Sequence, residues 1–295
     1  MAIPPQPWPT GLVEQPEPLV RRVLAPNASH YTYTGTQTYL VGSGEGVVVV
    51  DPGPAEAEHL SALVAAIAGA PVLAIACTHT HRDHSPAAAP LSALTGGPVI
   101  GCAQLVFAAD PDATDYPVDD AFDQLYAPAR VLTDGEALSG PGFTLRAVAT
   151  PGHTSNHLCY ALEESGALFT GDHVMGWSTS VIVPPDGDMG HYMASLDKLY
   201  GRDDRVYYPA HGPAIDNPRQ LVRGMIGHRR SRERQILKLL EASPLTIPGF
   251  VAAMYKGLDP RLHGAAGRSV LAHLIELERQ GRAVAEGESW ALATA

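Results

Sequence analysis

The chain has 295 residues, a formal net charge of −11, 13 histidines and only 3 cysteines. That length is comfortable for two domains and supplies ample material for a core. Cys77, Cys102 and Cys159 each sit beside apolar residues in predicted strands, which argues against a disulfide framework, and no apolar run reaches membrane-spanning length.

Met1–Trp8 lacks a basic segment followed by an apolar stretch, so a cytoplasmic protein with no membrane partner is expected. From Gln37 through Val206 strands and helices alternate, as in sheets covered by helices. Val47–Val50 reads as a buried strand, and Asp51-Pro52-Gly53 after it as an ordinary turn. Residues 55–68 are Ala-rich and predict a helix.

Thr78-His79-Thr80-His81-Arg82-Asp83-His84 follows an apolar strand and packs three histidines and a carboxylate into six positions. In an extended segment His79 and His81 share a face, so one ion can take both. Asp83 and His84 come as the chain turns, aimed at a second ion, and Ser85-Pro86 predicts a helix start running through Leu91. An uncompensated crowd of imidazoles is costly, so the spacing points to metal.

Further donors stand at later strand ends. His153 closes Ala147–His153 after Pro151-Gly152, Asp172 closes Ala167–Asp172, and His211 lies in Arg205–Gly212. Between them, Ser178-Thr179-Ser180 is a hydroxyl-rich loop suited to lining a cleft, and His157, His173, His191 and Tyr192 are candidate proton donors to a leaving group. Met189, Tyr192, Met193, Leu196 and Leu199 recur at helical spacing and predict an amphipathic helix with a core stripe.

Residues 1–216 hold 8 Lys or Arg against 24 Asp or Glu, whereas residues 217–295 hold 12 against 7. The shift predicts two domains with that boundary. In the second, Asn217-Pro218 opens a basic helix through His228–Leu237, residues 246–256 form a short helix, and Arg268–Gln280 form another with Val270, Leu271, Leu274 and Leu277 on one face. Gly281 ends it, and a strand, turn and strand follow to Leu292. Helices with a terminal hairpin resemble a small winged helix. Its arginine run reads either as a solvated face joining two domains or as a nucleic-acid footprint.

With its HxHxDH segment and three spaced followers, the chain resembles the metallo-β-lactamase fold superfamily of binuclear hydrolases over residues 30 to 215. The resemblance implies an α/β fold, an αββα sandwich, with the winged-helix-like domain after it. It implies two zinc ions per chain: His79, His81 and His153 on the first, Asp83, His84 and His211 on the second, and Asp172 bridging. Asp51 matches a family position that supports the histidine loop. The net positive charge left by two Zn²⁺ ions would lower the pKa of a shared water toward 7 and supply a hydroxide nucleophile, making hydrolysis the default chemistry. Asp83, His84 and Asp172 are then the catalytic set, with Asp83 steering or accepting the proton of that water.

Neighbouring subfamilies differ from this chain. True β-lactamases of the fold lack the Asp matching Asp172, and di-iron redox members carry Glu in place of His81. An all-imidazole first site favours zinc, with a mononuclear-iron dioxygenase as the remaining alternative. Thr150–Thr154, Met193–Leu196, Tyr208–Pro213 and His228-Arg229 extend the resemblance to the β-lactamase-like protein 2 group, which includes single-strand-specific endoribonucleases. Thr154 joins Asp51, Ser178, Thr179, His191 and Tyr192 as a supporting or substrate residue.

Two readings therefore compete. One is a phosphodiesterase on single-stranded RNA, against which the −16 of residues 1–216 weighs by repelling polyanions. The other is a small-molecule ester, thioester or lactone hydrolase whose tail builds a homodimer or closes the pocket. A nucleic-acid-binding module with a decayed site conflicts with the complete ligand set.

Overall fold

The computed structural model describes residues 8–105 and 121–293. Contacts gather them into two compact units, the first taking the described residues through Thr150 with Asn156–Thr179 and Asp203–Pro218. The second takes Pro151–Ser155, Ser180–Arg202 and the described residues from Arg219 onward. The second unit thus includes two neutral-to-acidic segments that precede residue 217, Pro151–Ser155 and Ser180–Arg202.

Among its described residues the first unit builds two sheets. The larger runs in the order β1 (Val13–Glu17), β2 (Val20–Leu24), β3 (Gln37–Ser43), β4 (Gly46–Val50), β5 (Val72–Cys77), β6 (Val99–Gly101) and β7 (Arg130–Val131). Its pairings are antiparallel up to β4 and parallel beyond. The smaller comprises β8 (Ala137–Gly140), β9 (Phe143–Ala149), β10 (Leu158–Leu162), β11 (Ala167–Gly171) and β12 (Val206–Pro209), with only β11 and β12 parallel.

The continuous run Val47–Val50 is buried throughout, as expected of a strand covered on both faces. It shares one core with Leu63 of α1 (Ala57–Ile67), Leu91 of α2 (Ala88–Thr95), and Leu145, Tyr160 and Phe169 of the smaller sheet. Each such side chain contributes about 1.5–3 kcal/mol on burial. Helix α2 starts two residues later than Ser85-Pro86 predicts. The Ser85 hydroxyl donates to Asp123 Oδ2 at 2.9 Å instead of capping, and the Gly53 N–H donates to the His84 carbonyl at 2.8 Å, so the chain stays in turns until Ala88.

The sheets are joined along one rim. The Leu158 N–H donates to the Thr78 carbonyl at 2.8 Å, the Tyr160 hydroxyl to the Cys77 carbonyl at 2.8 Å, and the Gln37 N–H to the Ala210 carbonyl at 2.8 Å. Strands β4, β5, β11 and β12 all end there.

The second unit contains α3 (Met189–Tyr200), α4 (Pro218–Leu240), β13 (Leu245–Thr246), α5 (Ile247–Met254), α6 (His263–Arg279), β14 (Ala283–Glu286) and β15 (Ser289–Leu292). The three short strands form a sheet in the order β13-β15-β14, and Ile236, Phe250, Val270, Leu274 and Trp290 form its core, giving a winged helix. Helix α6 begins five residues before the predicted start. Gly267 lets it approach α5, since a Cβ there would lie 3.0 Å from Ile247 Cγ2, and that packing outweighs the poor helix propensity of its glycines. Among the described residues no helix is long and apolar enough to cross a membrane, and all three cysteines are buried.

Candidate metal centre

Asp51 organises the rim of the first unit. It is buried, at the left-handed φ of +48°, immediately after β4. Its carboxylate accepts from the Thr78 N–H at 2.7 Å, the Thr78 hydroxyl at 2.8 Å and His84 Nδ1–H at 3.0 Å. A carboxylate accepts only, so these bonds fix protons down the line. When neutral, His84 carries its proton on Nδ1, which turns the lone pair of Nε2 into the site. With its own proton given to Asp51, the Thr78 hydroxyl accepts from His79 Nδ1–H at 3.0 Å. His79 Nε2 is thereby left as an acceptor, and it faces His81 Nδ1 at 2.9 Å.

His84 Nε2 lies 3.5 Å from Asp83 Oδ2 and 3.6 Å from Asp172 Oδ1. His211 Nε2 lies 3.1 and 3.2 Å from the same two oxygens, while its Nδ1–H donates to the Gly35 carbonyl at 3.3 Å. All four donor atoms fall within 4.8 Å of one another. A tetrahedral ion with bonds of about 2.1 Å separates its ligands by about 3.4 Å, and the four distances bracket that edge. His84 Nε2 and His211 Nε2 are also buried with no well-formed hydrogen bond among the described residues. Two orphaned imidazole nitrogens facing two carboxylates make a donor set that fits a divalent cation.

The electrostatics agree. Burial pushes the Asp83 carboxyl up, but the facing His84 and His211 hold it well below the usual range; Asp172 behaves likewise with His211 and His84. Burial pulls the imidazoles down, yet Asp83, Asp172 and Asp51 raise His84 well above its ordinary value, and Asp172 and Asp83 raise His211 to about 9. Four donors that strain to share protons in this way exchange them readily for a metal.

His153 belongs to the second unit, on the five-residue segment Pro151–Ser155 whose flanking residues Thr150 and Asn156 belong to the first. Within that unit its Nδ1–H donates to the Val181 carbonyl at 2.6 Å. Thr154 is buried on the same segment. Ser178 and Thr179 are half-buried, the Ser178 hydroxyl donating to the Thr179 carbonyl. The His191 side chain is 66% exposed and its N–H is capped by Asp188, whereas Tyr192 is fully buried with the Arg229 guanidinium over its ring, a packing position. His157 donates from Nδ1 to Thr150 Oγ1 at 2.9 Å and accepts the Asp172 N–H on Nε2, which commits both ring nitrogens to holding the rim.

Sequence reasoning passed over Thr78, although a hydroxyl directly before the first histidine at a strand end is a readable signal. It also passed over Tyr33 and Trp177, whose rings stack at 4.7 Å beside Gly212, the residue after His211. Isolated aromatics in loops carry no such signal.

Residues 31–211 match the Metallo-beta-lactamase superfamily, and residues 246–290 match the Beta-lactamase associated winged helix domain. The lactamase-like protein adaB of Aspergillus niger is 32% identical over 292 residues, spanning 94% of this chain and 85% of that protein. An atrochrysone carboxyl ACP thioesterase of Aspergillus fumigatus is 34% identical over 226 residues, spanning 76% of this chain and 65% of that protein. A beta-lactamase domain protein from Burkholderia ambifaria has the same fold, with a TM-score of 0.81 at 21% identity over 96% of this chain and 94% of that one.

Proposed function

Because the chain belongs to the metallo-beta-lactamase superfamily and is a metal-dependent hydrolase of it, we propose that it is a binuclear zinc thioesterase, cleaving an acyl group from a carrier-bound thiol. The observation that carries the metal reading is the convergence of Asp83, His84, Asp172 and His211 at tetrahedral spacing around two orphaned imidazole nitrogens. The choice of thioester over other acyl substrates is supported by the thioesterases among its relatives. Thioester hydrolysis is one of the alternatives raised by the sequence, and it is favoured over RNA cleavage, which the acidic catalytic segment opposes.

In this reading His79, His81 and His153 would hold one ion, Asp83, His84 and His211 the other, and Asp172 would be shared between the two sets. The chemistry zinc would supply there is a water with its pKa lowered toward neutrality and a polarised acyl carbonyl. Asp83 has the most exposed side chain of the four second-site donors, at 27% against 12% for Asp172 and none for either histidine. It is the donor most open to solvent, and it would accept the proton given up by the attacking water. Asp51 and Thr78 hold His84 and His79 in the tautomers the ions require. Ser178 and Thr179 orient the acyl chain.

The test compares turnover of an acyl-pantetheine thioester, a lactone, a phosphodiester and a β-lactam by zinc-loaded and chelator-stripped protein, alongside binding of single-stranded RNA across a salt series. Thioester turnover that vanishes on stripping and returns with about two zinc equivalents per chain is expected. RNA cleavage with a steep salt slope and no thioester turnover would overturn it.

A further inference from the structure

We propose that Arg229 is a positioning residue for His153, so that the C-terminal helices govern how the first metal is held. The inference rests on His153 being a ligand, as the preceding reading has it. Every contact that carries it lies within the second unit.

His153 donates its Nδ1 proton to the Val181 carbonyl, which leaves Nε2 as the nitrogen offered to a metal. The neighbouring carbonyl, that of Ser180, accepts from the guanidinium of Arg229 on α4. The same guanidinium lies 5.1 Å from the centroid of the Tyr192 ring. Tyr192 in turn walls the turn that bears His153: Gly152 has φ +139°, and a Cβ there would fall 2.3 Å from Tyr192 Cα. One buried cation therefore touches both supports of the histidine, the segment its imidazole bonds to and the helix its backbone packs on.

Other ties converge on the same five residues. The Asp188 N–H donates to the Gly152 carbonyl at 2.9 Å, the Ser195 hydroxyl to the Pro151 carbonyl at 2.8 Å, and the Ser155 hydroxyl to Asp186 at 2.5 Å. Arg279 of α6 pairs with the Asp188 carboxylate, so a second tail arginine reaches this frame. Arg229 is only 4% exposed and has no carboxylate partner among the described residues. Burying a guanidinium without one is costly, and a helix that merely joined two domains would leave it in water.

Metal titration of Arg229→Met, Arg229→Lys and His153→Ala, followed by metal content and by the absorption of cobalt-substituted protein, tests this. His153→Ala should lose one equivalent. Arg229→Met should keep the second metal at wild-type affinity and bind the first about tenfold more weakly, the low end for residues that support a ligand from outside. Arg229→Lys keeps a donor but not the flat face over Tyr192, and should weaken the first site by less, about threefold. If His153→Ala still binds two equivalents, the ligand assignment falls. If it loses one while Arg229→Met binds both as wild type, or loses both equally, the positioning role alone is overturned. Should Arg229→Met fail to fold, Arg229→Lys decides by the same criterion.

Discussion

Replacing Asp51 by Asn separates the charge of that residue from its backbone. Asn tolerates the left-handed conformation that Asp51 adopts at φ +48°, so the turn itself should persist. What changes is that an amide keeps one oxygen for the Thr78 N–H and presents an NH₂ group to the Thr78 hydroxyl and to His84 Nδ1–H, both of which donate to the native carboxylate. Two hydrogen bonds to a charged acceptor at about 1.5–3 kcal/mol each set an upper bound near 6 kcal/mol. The hydroxyl can rotate to accept, so a loss of about 2–3 kcal/mol is expected in the metal-free protein, a fall in Tm of roughly 5–10 °C. His84 also becomes free to carry its proton on Nε2, and zinc affinity should drop about 10- to 100-fold. Calorimetric melting of stripped protein and competition against a chromophoric chelator measure the two effects. A variant that melts with the wild type and holds zinc as tightly would refute the role given to Asp51.

Three further outcomes follow from the geometry. Because Asp172 and Asp83 raise His211 to about 9, zinc uptake at pH 7 should release protons, and apparent affinity should climb as pH rises toward 9; the carboxylates facing His84 push its pKa in the same upward direction. Titration calorimetry in buffers of different ionisation heat detects this, and zero net release at pH 7 would contradict it. His273 on α6 is pulled down to about 3, by burial first and then by Arg229, His228 and Arg232. Its unfolded value is near 6.5, so the neutral ring supports the fold above that pH, and the stability is lost as pH falls toward 3, on the order of 5 kcal/mol in all. His273→Leu should flatten that slope in urea unfolding between pH 4 and 7. Gly152→Ala would press a Cβ into the Tyr192 backbone at a φ of +139° and should cost about 2–4 kcal/mol, with the first metal lost before the second; a stable two-metal variant would argue against the packing described.

The candidate donors were legible because their chemistry is dense and local. Three histidines and an aspartate in six positions, and single donors placed after apolar strands at residues 153, 172 and 211, announce themselves without any knowledge of tertiary contacts. The winged helix was legible from the stripe Val270, Leu271, Leu274 and Leu277 and the glycine that ends it. The supports were not. The role of Thr78 depends on which of its neighbours needs a proton, and that of Arg229 on a carbonyl 49 positions away. The arginine run offered a solvated face or a nucleic-acid footprint, and for Arg229 neither applies, since period and composition do not reveal which member of a charged run is buried. The late start of α2 has a similar cause: Ser85 has the right chemistry for a cap but spends its hydroxyl on Asp123.

The four candidate donors hang from both layers of the sandwich, Asp83 and His84 past the end of β5 and Asp172 and His211 past β11 and β12. A cation seated among them would act as a rivet through two plates, present only when the layers have docked. Its binding energy then becomes folding energy, about 4 kcal/mol when free metal exceeds its Kd a thousandfold. Starved of metal, the protein would turn over faster in the cell as well as more slowly on its substrate, so its abundance would track the supply of the ion.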